Sequence, residues 1–244
     1  MISIVIPIYN EQDGLHELYR QVTAVMRTTA QPYELVFVND GSKDASQSVL
    51  LQLCREDARV RVIEFSRNFG HQAAVLAGLD YARGDAVISM DGDLQHPPEL
   101  IPELIQQWQA GYDIVYTCRQ STADAGMLKN ATSHLFYRLI NLLSDVEIPD
   151  GAADFRLLDR RVIQTIRRLG EHGLFLRGLV SWMGYRQTAV TYDAQARYAG
   201  KSKYSLVKLM RLCLDGIMSF SSVPLYAPAF VGLADAVLGF LRAI

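Results

Sequence analysis

Cysteine is scarce in this sequence, and its distribution excludes two common uses. The three cysteines among 244 residues, Cys54, Cys118 and Cys213, lie far apart in apolar surroundings. Their spacing matches neither a metal site nor a disulfide framework, so we expect a reducing, cytosolic setting. The sequence also lacks a basic segment ahead of its first apolar run, Met1 to Pro7, and we therefore expect no signal peptide.

Two glycine-rich nucleotide-binding motifs are also missing. No Gly-x-Gly-x-x-Gly follows the first apolar run, which argues against a dinucleotide-binding Rossmann enzyme. No Gly-x-x-x-x-Gly-Lys-Ser/Thr occurs either, which argues against a P-loop NTPase.

The net charge of −2 conceals an uneven distribution of charge along the chain. Residues 1–155 carry 11 basic and 21 acidic side chains, whereas residues 156–211 carry 12 basic and only 3 acidic ones. A basic second half indicates contact with something anionic, such as phosphate or a lipid surface. A chance distribution of surface charge is the alternative.

Apolar runs of strand length alternate with segments of helical period through the first half of the chain. We predict strands at 2–8, 34–39, 60–66, 86–91 and 113–118, and helices at 12–28, 44–57, 71–83 and 99–110. Further helices are expected at 128–143, 159–169 and 174–183, with a strand at 186–192. Near-continuous Val/Ile strands joined by helices indicate an α/β fold with a mostly parallel sheet covered by helices on both faces.

Polar residues cluster where the predicted strands end. The clusters are Tyr9-Asn10-Glu11, Asn39-Asp40-Gly41-Ser42, Ser66 to His71, Asp91-Gly92-Asp93 and Cys118-Arg119. Any one of them could be ordinary loop or helix-cap chemistry. Because the carboxyl ends of parallel strands meet at one edge, together they predict a single site.

Asp91 and Asp93 are the strongest candidates for chemistry at that edge. If both residues stay extended, the two-residue period of a strand places both carboxylates on one side. Hard oxygen ligands of this kind suit Mg²⁺ or Mn²⁺ held against a diphosphate. A solvated Asp-Gly-Asp turn is the alternative interpretation of these residues alone.

The second half has a different character. Small residues surround Asp154, and the segment 197–204 reads as a basic loop that precedes an amphipathic helix. Cations before such a helix are typical of a membrane-surface segment, although an ordinary core helix fits as well. The tail, 225–244, is apolar but contains Asp235, so a spanning helix is marginal and we expect membrane association.

Four segments together resemble the family 2 glycosyltransferases with the GT-A fold, over about residues 2–225. These segments are Ile6-Pro7-Ile8-Tyr9-Asn10-Glu11, Val38-Asn39-Asp40-Gly41-Ser42, Asp91 to Pro98, and Arg197 to Tyr204. Within the family the chain is similar to the polyprenyl-phosphate branch, which includes dolichol-phosphate mannose synthase. The segments Phe65 to Gln72 and Gly151 to Leu158 bring it nearest to the bacterial bactoprenol (undecaprenyl-phosphate) glucosyltransferases.

The resemblance implies a role for each matching residue. Pro7, Tyr9 and Glu11 would line the nucleotide pocket, and Asp40 would contact the base or ribose. Asp91, Asp93 and Gln95 would hold Mg²⁺ or Mn²⁺ on the donor diphosphate, with Gly92 between the two carboxylates. Arg119 and Ser133 would bind the lipid phosphate, and Arg197, Lys201 and Lys203 would close over the phosphates. Asp154 would lie beside the reacting sugar, as a base or as an orienting group, and Asp154, Asp93 and Arg119 would form the catalytic set.

The reaction implied is inverting transfer of a hexose from a nucleotide sugar, first of all UDP-glucose, to undecaprenyl phosphate for modification of cell-envelope glycans. The resemblance places the protein at the cytoplasmic face of the inner membrane, without a nucleic-acid partner. It divides the chain into a catalytic domain (1–204), an amphipathic helix (205–224) and an apolar tail (225–244). Bacterial members usually carry two spanning helices after the amphipathic region, so a truncated or divergent form is an open interpretation.

Three alternatives are weighed against this interpretation. A different sugar, such as mannose from GDP-mannose, would fit the same motifs. A membrane-associated scaffold that kept the fold without turnover is disfavoured by the intact Asp91, Asp93, Gln95 and Asp154. A phosphotransferase would need its Asp pair after the first strand, whereas here the pair follows the fourth.

The predicted helix 128–143 is apolar enough to form a homo-oligomer interface.

Overall fold

The computed structural model describes residues 1–120, 152–169 and 176–193, with single positions at 232, 235, 239, 241 and 242. Its strands are β1 (Ile2–Ile8), β2 (Tyr33–Asn39), β3 (Val60–Glu64), β4 (Ala86–Ser89), β5 (Ile114–Gln120), β6 (Ala152–Asp159) and β7 (Gln187–Asp193). Its helices are α1 (Leu15–Thr28), α2 (Ser46–Glu56), α3 (His71–Tyr81), α4 (Ile101–Gln109), α5 (Arg160–Leu169) and α6 (Leu176–Trp182). A single 3₁₀ turn, Pro98–Leu100, precedes α4.

The seven strands form one sheet in the order β3-β2-β1-β4-β6-β5-β7. Every strand pair that omits β6 is parallel, and β6 runs antiparallel to both of its neighbours, β4 and β5. The predicted α/β class with a mostly parallel sheet is therefore confirmed. The strand β6 was not predicted as a strand, because we interpreted 151–159 only as a small-residue segment around Asp154.

The central strands are buried on both faces, as the continuous apolar runs predict. All seven residues of β1 and all seven of β2 are buried. Helix α3 packs closely on this part of the sheet, because a Cβ at Gly78 would collide with Val5 and contact Val38. The core thus holds the ends of β1, β2 and β4 in fixed positions.

A buried polar network closes the sheet edge at the amino ends of β1 and β2. Glu34 accepts hydrogen bonds from Ser3 Oγ (2.6 Å) and from the backbone N of Arg83 (2.6 Å). Burial alone would raise the pKa of Glu34, but these hydrogen bonds and those of Arg61 outweigh it and lower the pKa. Its carboxylate is therefore a structural group at the edge away from the predicted site.

By internal contacts the chain divides into two units, 1–124 with 151–201, and 125–150 with 202–244. The sheet and its helices belong to the first unit. The predicted helices at 128–143 and 205–224 and the tail at 225–244 lie outside the described residues, apart from the single positions in the tail. In the described ranges, we find no helix with the length and apolarity that crossing a bilayer requires. The predicted boundary at residue 204 stays a prediction.

Candidate active site

The loops that follow β1 and β2 are joined by side-chain hydrogen bonds. Asn10 has a left-handed backbone (φ 55°), and its backbone N donates to Ser42 Oγ at 3.0 Å. In return, Lys43 N donates to Asn10 Oδ1 at 2.8 Å. The backbone N of Glu11 donates to Ser46 Oγ at 3.1 Å. These bonds fix the backbone between Pro7 and Glu11, where the nucleotide pocket is predicted.

Asp40 holds the loop between β3 and α3 against the loops that follow β1 and β2. Its carboxylate accepts hydrogen bonds from the backbone N of Phe69 (2.6 Å) and of Gly70 (3.0 Å), and the residue is only 3 % exposed. Gly41 has a left-handed backbone (φ 64°), and a Cβ there would collide with the backbone of Arg67. The predicted contact of Asp40 with a base or ribose stays a prediction; the structure shows the same carboxylate ordering the loop before α3.

The Asp-Gly-Asp segment differs from its predicted conformation. Strand β4 ends at Ser89, two residues before Asp91, so the two carboxylates are not part of an extended strand. Leu94 has a left-handed backbone (φ 61°), and Gln95 N donates to Asp93 Oδ1 at 3.2 Å. The segment is therefore a tight loop, and the argument from a two-residue strand period does not apply to it.

Gly92 brings this loop against the end of β1. A Cβ on Gly92 would lie 2.6 Å from Ile8 Cδ1 and 3.2 Å from the carbonyl oxygen of Pro7. Distances this short require a neighbour to move, so glycine is needed here for packing. The group that approaches the backbone at Gly92 is thus the end of β1.

Two histidines flank Asp91. His71 Nε2 lies 3.5 Å from Asp91 Oδ1, and His96 Nε2 lies 3.7 Å from Asp91 Oδ2. Asp91 Oδ1 is buried and accepts no hydrogen bond within the described residues. A buried carboxylate oxygen that accepts no hydrogen bond is unfavourable, and a nearby positive charge would stabilise it.

Asp154 reaches the same edge because β6 runs in the opposite direction to β4. The register pairs Ala86 with Asp159 and Ser89 with Arg156, so the chain that follows β4 and the beginning of β6 lie at the same end of this strand pair. Ser89 Oγ donates to the backbone oxygen of Asp154 at 2.7 Å. The predicted proximity of Asp154 to the Asp-Gly-Asp loop thus has a structural basis.

Arg156 and His71 are the neighbours of the Asp154 carboxylate. Arg156 donates to Asp154 Oδ1 at 3.2 Å, and the Arg156 side chain is only 4 % exposed. His71 Nε2 lies 3.8 Å from Asp154 Oδ2, so the same imidazole approaches both Asp154 and Asp91. These contacts place a buried cation beside Asp154 and an imidazole beside both Asp154 and Asp91.

His71, His96, Ser89 and Arg156 were not among the predicted site residues. In the sequence, neither histidine has metal-ligand spacing, which favours hydrogen-bonding loop residues for both. This interpretation holds for His96, whose Nδ1 accepts a hydrogen bond from the backbone N of Asp91 (3.0 Å). The available signal was position, since His71 and His96 each follow a strand that ends at the predicted site edge.

Several predicted site residues cannot be placed from the described part of the chain. Arg119 lies in β5, in register with Tyr192 of β7, and its side chain lies outside the described parts. Ser133, Arg197, Lys201 and Lys203 lie outside the described residues altogether. Their predicted contacts with phosphate stay predictions.

The basic segment 156–211 is only partly available to an anionic partner. Several of its arginines donate to carboxylates or carbonyl oxygens of the protein itself. These are Arg156, Arg160, Arg161 and Arg167. The positive balance of this segment therefore contributes to folding as well as to any contact with phosphate or lipid.

The Asp91 and Asp93 carboxylates are suitable ligands for a divalent cation whose coordination is completed by substrate phosphates. In the residues that the structure describes, no three His, Cys, Asp or Glu side chains are grouped to enclose a metal ion. Asp91 and Asp93 are hard carboxylate donors two residues apart in this loop, and Asp91 Oδ1 accepts no hydrogen bond within the described residues. Mg²⁺ is usually held by one or two carboxylates together with substrate phosphates, and these residues fit that arrangement.

This fold, with carboxylates at the carboxyl edge of the parallel strands, is that of the GT-A glycosyltransferases. The chain belongs to glycosyltransferase family 2: the family model described as Glycosyl transferase family 2 matches residues 3–167. The resemblance drawn from the sequence motifs is thereby confirmed.

The relatives extend the match over nearly the whole chain. The bactoprenol glucosyl transferase of Shigella phage SfV is 43% identical over 240 residues, covering 98% of this chain and 78% of the relative. The prophage bactoprenol glucosyl transferase homolog of Escherichia coli (strain K12) is 41% identical over 240 residues, with the same coverage of 98% and 78%. The uncharacterized glycosyltransferase YkcC of Bacillus subtilis (strain 168) is 48% identical over 239 residues, covering 98% and 74%.

Solved structures share the GT-A fold at low sequence identity. Mannosyltransferase PcManGT from Pyrobaculum calidifontis, in complex with GDP-Man and Mn²⁺, matches with a TM-score of 0.57 and 18% identity, covering 86% of this chain and 60% of that one. Glucosyl-3-phosphoglycerate synthase from Mycobacterium tuberculosis, with Mn²⁺ and UDP-Glc, matches with a TM-score of 0.54 and 16% identity, covering 88% and 75%. At these identities the likeness shows the fold.

Proposed function

We propose that this glycosyltransferase transfers a hexose, glucose from UDP-glucose in the first instance, to undecaprenyl phosphate with inversion at the anomeric carbon. The observation that carries the proposal is the meeting of Asp91 and Asp154 at the carboxyl edge of the sheet, beside the loop that contains Asp93. The choice of acceptor is supported by relatives named bactoprenol glucosyl transferases, at 41–43% identity over nearly the full chain.

The donor would bind in the pocket between the loops after β1, β2 and β3. The segment from Pro7 to Glu11 and the loop held by Asp40 would enclose the nucleoside. Asp91, Asp93 and Gln95 would hold Mg²⁺ or Mn²⁺, which supplies Lewis-acid stabilisation of the departing nucleoside diphosphate. Structural neighbours with bound Mn²⁺ and nucleotide sugars support this part of the proposal.

Asp154 would act at the other side of the reacting sugar. Its carboxylate is held by Arg156 and lies near His71, so its orientation is constrained. The acceptor phosphate is largely ionised at neutral pH, so a strong base is not required. Asp154 would therefore orient the sugar or the acceptor, and a single displacement by a phosphate oxygen would invert the anomeric carbon.

The remaining parts of the proposal concern side chains that lie outside the described parts of the chain. Arg119 and Ser133 would bind the acceptor phosphate, and Arg197, Lys201 and Lys203 would close over the phosphates. The amphipathic helix and the apolar tail would keep the enzyme at the cytoplasmic face of the membrane, where the lipid phosphate is presented.

A donor panel tests the proposed reaction directly. The full chain is incubated with undecaprenyl phosphate, Mg²⁺ or Mn²⁺, and UDP-glucose, other UDP-sugars or GDP-mannose, and lipid-linked product is detected by mass spectrometry. We expect a phosphate-linked hexose with UDP-glucose, and none with Asp93→Ala. If product formed only with GDP-mannose, GDP-mannose would be the donor in place of UDP-glucose. If no donor gave product, the result would favour a scaffold without turnover.

A further inference from the structure

His96 connects the two carboxylate-bearing segments of the site. It lies at the end of the loop that begins at Asp91, and its ring is 7 % exposed. Its Nδ1 accepts the hydrogen bond from Asp91 N, which closes the loop between residues 91 and 96. Because Nδ1 is the acceptor, a neutral ring carries its hydrogen on Nε2, which faces Asp91 Oδ2 at 3.7 Å.

The other side of the ring packs on β6. The His96 and Phe155 rings are stacked, with centroids 5.3 Å apart and planes 22° apart. Phe155 is fully buried and directly follows Asp154 in the chain. Pro97 and Pro98 follow His96 and restrict the backbone on its far side. The ring therefore has little freedom relative to either segment.

We propose that His96 is a positioning residue, which sets Asp91 by its Nδ1 hydrogen bond and Asp154 by its stacking on Phe155. The role assigned to each carboxylate rests on the proposed function. The contacts of His96 predict two separable effects, one on donor binding through Asp91 and one on turnover through Asp154. A histidine that served only packing would change both together, through stability.

Two substitutions separate the contacts. His96→Phe keeps a ring on Phe155 but leaves the Asp91 N–H without its acceptor. His96→Asn places an amide oxygen where Nδ1 lies but removes the ring. The same two changes at His16, which is exposed on α1, give matched controls. Melting temperatures of all four variants identify any loss that comes from folding.

The measurements are calorimetric binding of UDP and of GDP with Mn²⁺, and KM and kcat for transfer, all with the full chain. We expect His96→Phe to weaken nucleotide binding and to raise the donor KM by roughly tenfold, because the Asp91 N–H loses its acceptor. We expect kcat to change little. We expect His96→Asn to bind nucleotide within about threefold of wild type while kcat falls by roughly tenfold.

The opposite pattern, or equal changes in both variants, would overturn the proposal. Wild-type protein that binds nucleotide but transfers no sugar would overturn the proposed function alone, because the binding arm would still distinguish the two variants. Wild-type protein that binds neither nucleotide would overturn both.

Discussion

The carboxylates of Asp91 and Asp154 approach the same ring nitrogen, His71 Nε2, at 3.5 Å and 3.8 Å respectively. Two carboxylates from segments more than 60 residues apart are thus brought to one edge of the sheet, where β4 pairs with β6.

Asp93→Ala tests the donor side of the site. We expect transfer to fall by at least a hundredfold, because one of the carboxylates that would hold the metal on the donor diphosphate is lost. The melting temperature should stay near that of wild type, since the change lies in a loop. Glu103→Ala, which removes an exposed carboxylate from α4, is the control. Substantial transfer at saturating metal would contradict the metal assignment.

Asp154→Asn tests whether Asp154 contributes to turnover or only to stability. We expect a large loss of turnover, and a loss of about 1–3 kcal/mol of stability because the buried Arg156 loses its charged partner. Adding Arg156→Gln should recover part of the stability without recovering turnover. Thermal unfolding and steady-state kinetics measure both. If turnover returned with stability, Asp154 would have only a structural role.

Gly92→Ala tests the packing of the loop on β1. We expect a loss of about 1–3 kcal/mol together with weaker donor binding, because the new Cβ would press on Ile8 and Pro7. Ile8→Val removes the nearer contact and should restore part of both. Gly14→Ala, whose Cβ would meet only ordinary contacts, is the control. Denaturant unfolding and calorimetry measure the effects, and an unaffected Gly92→Ala would show that the loop can shift freely.

Asp57 gives a stability effect that depends on pH. Its hydrogen bonds from Arg59 lower the pKa of this carboxyl to about 2, from an ordinary value of 3.8. The stabilisation is therefore present above pH 3.8 and is lost as the pH falls through about 2. We expect Asp57→Asn to cost at most about 2 kcal/mol at pH 7, with the difference from wild type shrinking in acid. Urea unfolding from pH 7 to pH 2 measures this, with Asp13→Asn as control; a gap that stayed constant with pH would contradict the linkage.

Lys201→Ala combined with Lys203→Ala tests the proposed closing loop. We expect turnover to fall more than nucleotide binding, because a closing loop acts after the donor has bound. Calorimetry and kinetics on the same preparation compare the two quantities. An equal loss in both would show that these lysines contribute only to ground-state binding.

The sequence was sufficient for most of the sheet and for its site edge. Apolar runs predicted β1, β2 and β4 because these strands are buried along their whole length, and they also predicted β3 and β7, which are only partly buried. The segment around Asp154 escaped because β6 carries Asp154 and Arg156 among its apolar residues, so it lacks a clear strand pattern.

Spatial pairing was the main information absent from the sequence pattern. The meeting of Asp91 with Asp154 depends on the register between β4 and β6, which single-sequence periodicity does not determine. His71 and His96 were similarly undervalued, because their roles arise from contacts with Asp91 and not from any spacing along the chain.

The position of β6 in the sheet also constrains the order in which the chain can assemble during synthesis. Strands β1 to β4 can pair as soon as residues 1–89 have left the ribosome, whereas β5 has no partner until β6 and β7 are made. The long interval between β4 and β6 favours late closure of this half of the sheet. A nascent chain would thus order the loops after β1 and β2 first, and would place Asp154 beside them only after residue 159 emerges.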